Sequence, residues 1–220
     1  MAAHHAPVWE IPTEDGRVVE RKAETVNNEE VRNQRTRRLG RRLDLSLLHL
    51  HERLLLDVLR DALTCQSVTV LDLNDCGLNT LPRLISNMES LVRLRLHSNN
   101  LKTLPDTISD LNFLERLSVY GNQLESLPRS LYKLQQLKIL RLGGNRLQDE
   151  DLEVIHEMAG IEELYLRQNY ELTIIPREVC LMEDLAELNA DDCDGLVAPP
   201  WQVITRGIDS IRRYAETHVW

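Results

Sequence analysis

A chain of 220 residues with a formal net charge of −9 can hold one continuous core, but it has no whole-molecule attraction for nucleic acid. Aromatic residues make up only 4% of it, so its apolar content is aliphatic and led by leucine, which suits a repeat core better than a compact enzyme domain. No run of about 18 apolar residues is present, so no membrane span is predicted, and MAAHHAPVWEIPTEDG has neither the basic-then-apolar order of a signal peptide nor the low acid content of a transit peptide.

Residues 1–27 show little apolar content and no period, and read as an extended tail that only a partner would order. Trp9 and Ile11 are the large apolar residues of its first half, either by chance or as a short linear anchor. The sign of the charge then changes. Asn28 suits an N-cap, Glu29 and Glu30 suit a first helical turn, and VRNQRTRRLGRR comes next with Arg32, Arg35, Arg37, Arg38, Arg41 and Arg42. Such a basic helix grips nucleic acid, serves nuclear import, docks on an acidic protein surface, or is only a solvated face beside an acidic tail.

Residues 43–67, which open with LDLSLLHLHERLLLDVLRDAL, fit either one amphipathic helix or a first, longer repeat. On the repeat reading Leu43, Leu45, Leu48 and Leu50 precede Leu71, Leu73, Cys76 and Leu78 by a constant 28 residues. Leu43–Leu47 is then a first strand and Glu52–Leu63 a convex helix. Either way residues 28–67 form a basic helix and an N-terminal cap or atypical repeat. His49, His51 and Glu52 have no further ligand at metal spacing, so no metal and no cofactor are expected.

From Val68 the chain is regular, with units starting at Val68, Leu91, Leu114, Leu137, Ile161 and Leu185. LVRLRLHSNNLKTLPDTISDLNF is followed by LERLSVYGNQLESLPRSLYKLQQ, and nine apolar, asparagine and proline positions recur at a spacing of 23. Leu94 and Leu96 alternate with Arg93, Arg95 and His97, the period of a short strand with leucines inward. Asn99 and Asn122 mark a turn where a buried amide serves open backbone groups of neighbouring turns. Cys76 and Cys193 take the same position as small buried residues with a weak donor. The Leu-Pro pairs predict an extended stretch before the convex side. QDEDLEVIHEMAG reads as a true convex helix ending at Gly160, and one extra residue enters near Tyr170 and again at Asp194. Pro199-Pro200 ends the repeats, and an amphipathic helix over 208–220 closes the core.

These residues match L-x-x-L-x-L-x-x-N-x-L, the leucine-rich-repeat pattern. The units of 68–207, with APPWQVITRGIDSIRRY at and beyond their end, resemble short intracellular leucine-rich-repeat proteins: Ras-interacting scaffolds, plant intracellular Ras-group proteins and polarity scaffolds. The resemblance implies an α/β solenoid with a parallel concave sheet, convex 3-10 or short helices, six repeats and a cap at each end. It also implies a binding or scaffolding role without naming a partner.

The outward positions between strand leucines place Arg93, Arg95, His97, Arg116, Tyr120, Arg141, Tyr165 and Arg167 in the middle of the concave face. Asp72 and Asp75 stand at one end and Glu187, Asp191 and Asp192 at the other. Arginine and tyrosine are enriched where interfaces gain most of their energy. The stripe is therefore a candidate site for an acidic or phosphorylated protein segment, with Gly121, Gly143 and Gly144 leaving room for it. The alternative is a solvated sheet whose charges offset one another. No phosphate loop, nucleophile motif or paired carboxylates point to catalysis, so a non-enzymatic adaptor is expected. The alternatives are a docked subunit of a cytoskeletal, ciliary or ribonucleoprotein assembly, or nucleic-acid binding through the arginine run. Cys65, Cys76, Cys180 and Cys193 are far apart and show no cap clusters, so the expected setting is reducing and cytoplasmic, with nuclear or cytoskeletal placement as variants. The expected state is a monomer on its own or a subunit of a larger complex.

Overall fold

The computed structural model describes residues 8–12, 18–22, 42–48, 55–57, 59–60 and 68–220. It divides into two units, Met1–Leu39 and Gly40–Trp220.

In the first unit β1 (Val8–Pro12) pairs antiparallel with β2 (Val18–Lys22), Trp9 opposite Arg21 and Ile11 opposite Val19. The reading of 1–27 as an extended tail did not foresee this pairing. The basic helix expected over residues 28–41 lies outside the described residues. So do its Arg32, Arg35, Arg37, Arg38 and Arg41, and His49, His51 and Glu52.

The second unit is a solenoid. Seven short strands form one all-parallel sheet in chain order: β3 (Arg42–Asp44), β4 (Val70–Asp72), β5 (Arg93–Arg95), β6 (Arg116–Ser118), β7 (Ile139–Arg141), β8 (Glu163–Tyr165) and β9 (Glu187–Asn189). The strands are in register, so Leu43, Leu71, Leu94, Leu117, Leu140, Leu164 and Leu188 form one row. From Leu71 onward that row is buried. A turn of this chain cannot cover its own leucines; stacking covers them on both sides. The 28-residue offset thus agrees with the pairing of Leu43 with Leu71, and Arg42 is a strand residue. The strand is shorter than the expected Leu43–Leu47, because the chain turns at 46–47 with Leu47 at φ 62°. Residues 55–57 and 59–60 are helical, with Leu55 and Leu59 fully buried.

Every turn after its strand passes through one left-handed residue: Leu47, Asp75, Ser98, Gly121, Gly144, Gln168 and Asp192. In the central turns the next residue is the asparagine of the repeat. Asn99 accepts the backbone N–H groups of Cys76 and Leu78 at 3.1 and 3.0 Å and donates to the carbonyls of Leu73 and Leu96 at 2.8 and 2.9 Å. Asn122, Asn145 and Asn169 repeat this one turn at a time, accepting from Leu101, Leu124 and Leu147. Cys76 and Cys193 replace the amide with a thiol, donating to the carbonyls of Leu45 and Leu166. Burial pushes the Cys76 thiol up to about 12, which keeps it protonated and able to donate.

On the convex side Pro82, Pro105 and Pro128 hold extended backbone ahead of the 3-10 turns Arg83–Asn87, Asp106–Asp110 and Arg129–Lys133. The helix expected in QDEDLEVIHEMAG is two 3-10 segments, Asp149–Leu152 and Ile155–Glu157. Its apolar residues Leu152, Ile155 and Met158 are buried as expected. The return path is shared with neighbouring turns: Asp149 accepts the N–H groups of Thr173 and Ile174, and Asp151 those of Gln148 and Leu127. Such lateral bonds fix a tighter winding than a free helix would take.

The C-terminal helix Ile208–Thr217 buries Ile211 and Ala215. From it Arg212 donates to the carbonyls of Met182, Glu183 and Leu185 at 3.0, 2.9 and 2.8 Å. Arg177 returns a bond to the Ala215 carbonyl at 2.7 Å, and the Trp220 indole N–H donates to the Ile175 carbonyl. The cap is therefore stitched to the last repeats by polar as well as apolar contacts.

Candidate functional site

Outward side chains of the sheet fall into rows set by the register. One row is Arg42, Val70, Arg93, Arg116, Ile139, Glu163 and Glu187; another is Asp44, Asp72, Arg95, Ser118, Arg141, Tyr165 and Asn189. Beyond the strands the backbone pairing continues through Ser98 to Tyr120, Gly121 to Gly143 and Gly144 to Arg167. His97, Tyr120, Gly143 and Arg167 thus stand in a third row.

The candidate residues do not form one stripe. Arg93, Arg95, Arg116 and Arg141 share a shallow hollow with Leu94, Leu117, Ser118 and Ile139. Ser118 and Ile139 belong to it because they hold the positions of Arg95 and Arg93 one and two strands away, as the 23-residue spacing implies. Arg95 is partly committed: it pairs with Asp72 at 3.0 Å, and Arg42 pairs with the same carboxylate at 3.1 Å. Asp72 is 3% exposed, so it is a buried counter-ion rather than the acidic border expected of it. Among the described residues Arg93, Arg116 and Arg141 take part in no ion pair. The Arg93 Nε is buried without a hydrogen-bond partner among them. Burial lowers the Arg93 pKa, and the like charges of Arg116, Arg95 and Arg42 push it the same way, against a smaller opposing pull from the Glu115 carboxylate. Crowded like charges are unfavourable, and an anion in the hollow would offset them.

His97, Tyr120 and Arg167 stand apart from this group. The Tyr120 hydroxyl donates to Gln168 at 2.8 Å, and Arg167 pairs with Asp192 at 3.2 Å. Of the three glycines expected to admit a ligand, Gly143 and Gly144 are closely covered, while Gly121 has only ordinary contacts with Ser98. A Cβ on Gly143 would lie 2.8 Å from the Arg167 carbonyl oxygen and 3.0 Å from the Tyr120 ring, and one on Gly144 would lie 3.1 Å from the Gly121 nitrogen. These glycines let the sheet close and Tyr120 lie flat towards Gln168. Gly143→Ala should therefore destabilise the fold by about 1–3 kcal/mol, the usual range for an overpacked site. A denaturant midpoint equal to wild type would show that the Tyr120 ring and the neighbouring strand shift freely.

The C-terminal half of the face is acidic. Arg141 lies over the Tyr165 ring, 5.0 Å from its centroid, at the border between the two halves. The Tyr165 hydroxyl donates to Glu163 at 3.0 Å. Burial and the carboxylates of Glu163 and Glu187 push its pKa up to about 12. Of the eight candidates, four line the hollow, Tyr165 borders it through Arg141, and His97, Tyr120 and Arg167 serve the neighbouring row. Gln168 was not among the candidates; it lies 48 residues from Tyr120, and nothing local in the sequence links them.

The family described as leucine-rich repeat region matches residues 28–195. Among solved structures, internalin InlF of Listeria monocytogenes is 25% identical, with a TM-score of 0.52 over 59% of this chain and 36% of that one. The PEPR1-AtPEP1 structure contains a chain 25% identical, with a TM-score of 0.52 over 60% of this chain and 19% of that one. The Toll–Spatzle complex of Drosophila contains one 26% identical, with a TM-score of 0.50 over 56% and 17%. The matched region is thus little more than a third of the internalin and under a fifth of the other two. Among curated proteins, none matches significantly. One short parallel strand per turn, an asparagine ladder at the bend and a family match over well over half of the residues agree, and the chain belongs to the leucine-rich-repeat family.

Proposed function

We propose that this chain is a non-enzymatic binding module that takes an acidic or phosphorylated segment of a protein partner in the hollow of Arg93, Arg116 and Arg141. The observation that carries the reading is a group of cations with no carboxylate partner among the described residues, in a face where Arg42, Arg95 and Arg167 are all paired. Solenoid concave faces are common binding surfaces. The Toll–Spatzle structure, a complex by name, supports a protein partner for a similar chain. Cys76 and Cys193 act as hydrogen-bond donors in place of asparagine, which a reduced thiol serves, and this supports a reducing, intracellular setting. The arginine run of residues 32–41 lies outside the described residues, and Arg42 is held by Asp44 and Asp72. Neither nucleic-acid binding nor docking through that run is favoured by an observation.

Arg116→Glu with Arg141→Glu is the direct test. Both side chains are exposed, so the melting curve should stay close to wild type. Each arginine would give up a charge-assisted bond of about 1.5–3 kcal/mol, so partner binding should weaken at least about tenfold. Arg95 is the wrong residue to reverse, because a glutamate there would face the buried Asp72. Recovery of partners undiminished by the double change, in pull-downs with the full chain, would exclude the hollow as the site.

A further inference from the structure

The row that contains the hollow changes sign within the sheet. Arg93 and Arg116 are followed by Ile139 and then by Glu163 and Glu187, on strands paired in register. Opposite charges on adjacent strands would neutralise each other across about 5 Å. Ile139, 9% exposed, stands between them instead. It holds Arg116 and Glu163 two strand steps apart, at roughly 10 Å, with an apolar floor between. The two ends are not symmetric in their commitments. Arg93 and Arg116 lack ion-pair partners among the described residues, whereas Glu163 accepts from the Tyr165 hydroxyl, a neutral donor that leaves its charge in place, and the Glu187 carboxylate lies near the same hydroxyl.

Resting on the reading of the hollow as an anion site, we propose that the ligand is a dipolar peptide segment crossing the strands. Its acidic group sits among Arg93 and Arg116, an apolar side chain lies on Ile139, and a lysine or arginine reaches Glu163 and Glu187. An extended peptide advances about 3.3 Å per residue, so ~10 Å corresponds to about three residues between acid and base. The outer pair, Arg93 and Glu187, four strand steps apart, sets the longest separation at about six residues. A purely acidic segment meets attraction at one end and repulsion at the other. The sign change thus selects against the commonest competitors of a basic patch, polyacidic chains and nucleic acid.

The test uses the full chain against synthetic decamers that carry an acidic residue, a central leucine and a lysine. The acid is glutamate in one set and phosphoserine in the other, and acid and lysine are placed one to six residues apart. Decamers with a separation of three to six should bind about fivefold tighter than decamers in which lysine is replaced by glutamate, the upper end for an exposed ion pair. Glu163→Gln with Glu187→Gln keeps side-chain size and an acceptor for Tyr165, and should erase that preference by weakening the lysine decamers and removing the repulsion felt by the all-acidic ones. Equal or tighter binding of the all-acidic decamers to the unaltered chain would overturn the dipolar ligand and leave the anion site standing. Binding that is insensitive to Arg116→Glu with Arg141→Glu in every decamer would overturn both. Tighter binding of the phosphoserine set than of the glutamate set identifies phosphate as the anion; equal binding identifies carboxylate.

Discussion

Asn122→Ala should lower the thermal midpoint far more than Lys133→Ala, an exposed change one convex turn away. The Asn122 carboxamide accepts from the Leu101 N–H at 3.0 Å and donates to the carbonyls of Leu96 and Val119, both at 2.9 Å. The two losses differ in kind. The Leu96 carbonyl keeps Asn99, and the Val119 carbonyl keeps Asn145. The Leu101 N–H has no such second partner among the described residues and would be left buried and unpaired. One orphan donor, two weakened acceptors and a small void together amount to about 3 kcal/mol. For a chain of this size that corresponds to a midpoint lower by roughly 6–12 °C. Equal midpoints for the two variants would falsify the account of the bend.

Arg212→Ala should have the second-largest effect, and a local one. Its guanidinium donates to the carbonyls of Met182 and Glu183, which close the unit from Ile161, and of Leu185, which opens the last one. Charge-assisted bonds contribute more than neutral ones, and the loss should be about 2–3 kcal/mol. A terminal unit with a weakened cap opens independently of the interior. Amide exchange in β9 and in residues 181–186 should therefore accelerate strongly in the variant, while β5 and β6 keep wild-type protection. Uniform acceleration along the chain would mean that the cap controls the whole solenoid rather than its end.

The fold was legible because one leucine row and one asparagine per turn repeat at 23 residues, and both properties are visible along the chain. The offset between Leu43 and Leu71 also matches their register in the sheet, though a helix over the same residues is another reading of the sequence. Harder to see was anything that depends on contacts between turns. Asp72 has the sequence position of a surface acid, but Arg42 and Arg95 lie on either side of it and bury its charge. Gly143 and Gly144 suggest space for a ligand, but that space is taken by Arg167, by the Gly121 backbone and by the Tyr120 ring. The segment from Gln148 to Gly160 has the apolar spacing of a helix, yet its acids bond across to neighbouring turns and wind it as 3-10. The pairing of Val8–Pro12 with Val18–Lys22 carries no strong alternation to announce it. The arginines of the hollow are named by their positions in the repeat; that three of them lack counter-ions among the described residues depends on neighbours 23 or more residues away.

The polar ladder at the bend has a mechanical consequence. Amides occupy it from Asn99 to Asn169, and each joins its own turn to the one before. A thiol stands at either side, at Cys76 and Cys193, offering a single weak donor in place of a two-handed clamp. Along this ladder, coupling between adjacent turns is therefore stronger at the amide positions than at the two thiol positions. Pulled along its axis, such a spring yields first at the thiols. The central turns, which carry Arg93, Arg116, Ile139 and Glu163, hold their mutual spacing after the outer turns have given way. The ruler against which a ligand would be measured lies on the turns that the amide clamps join.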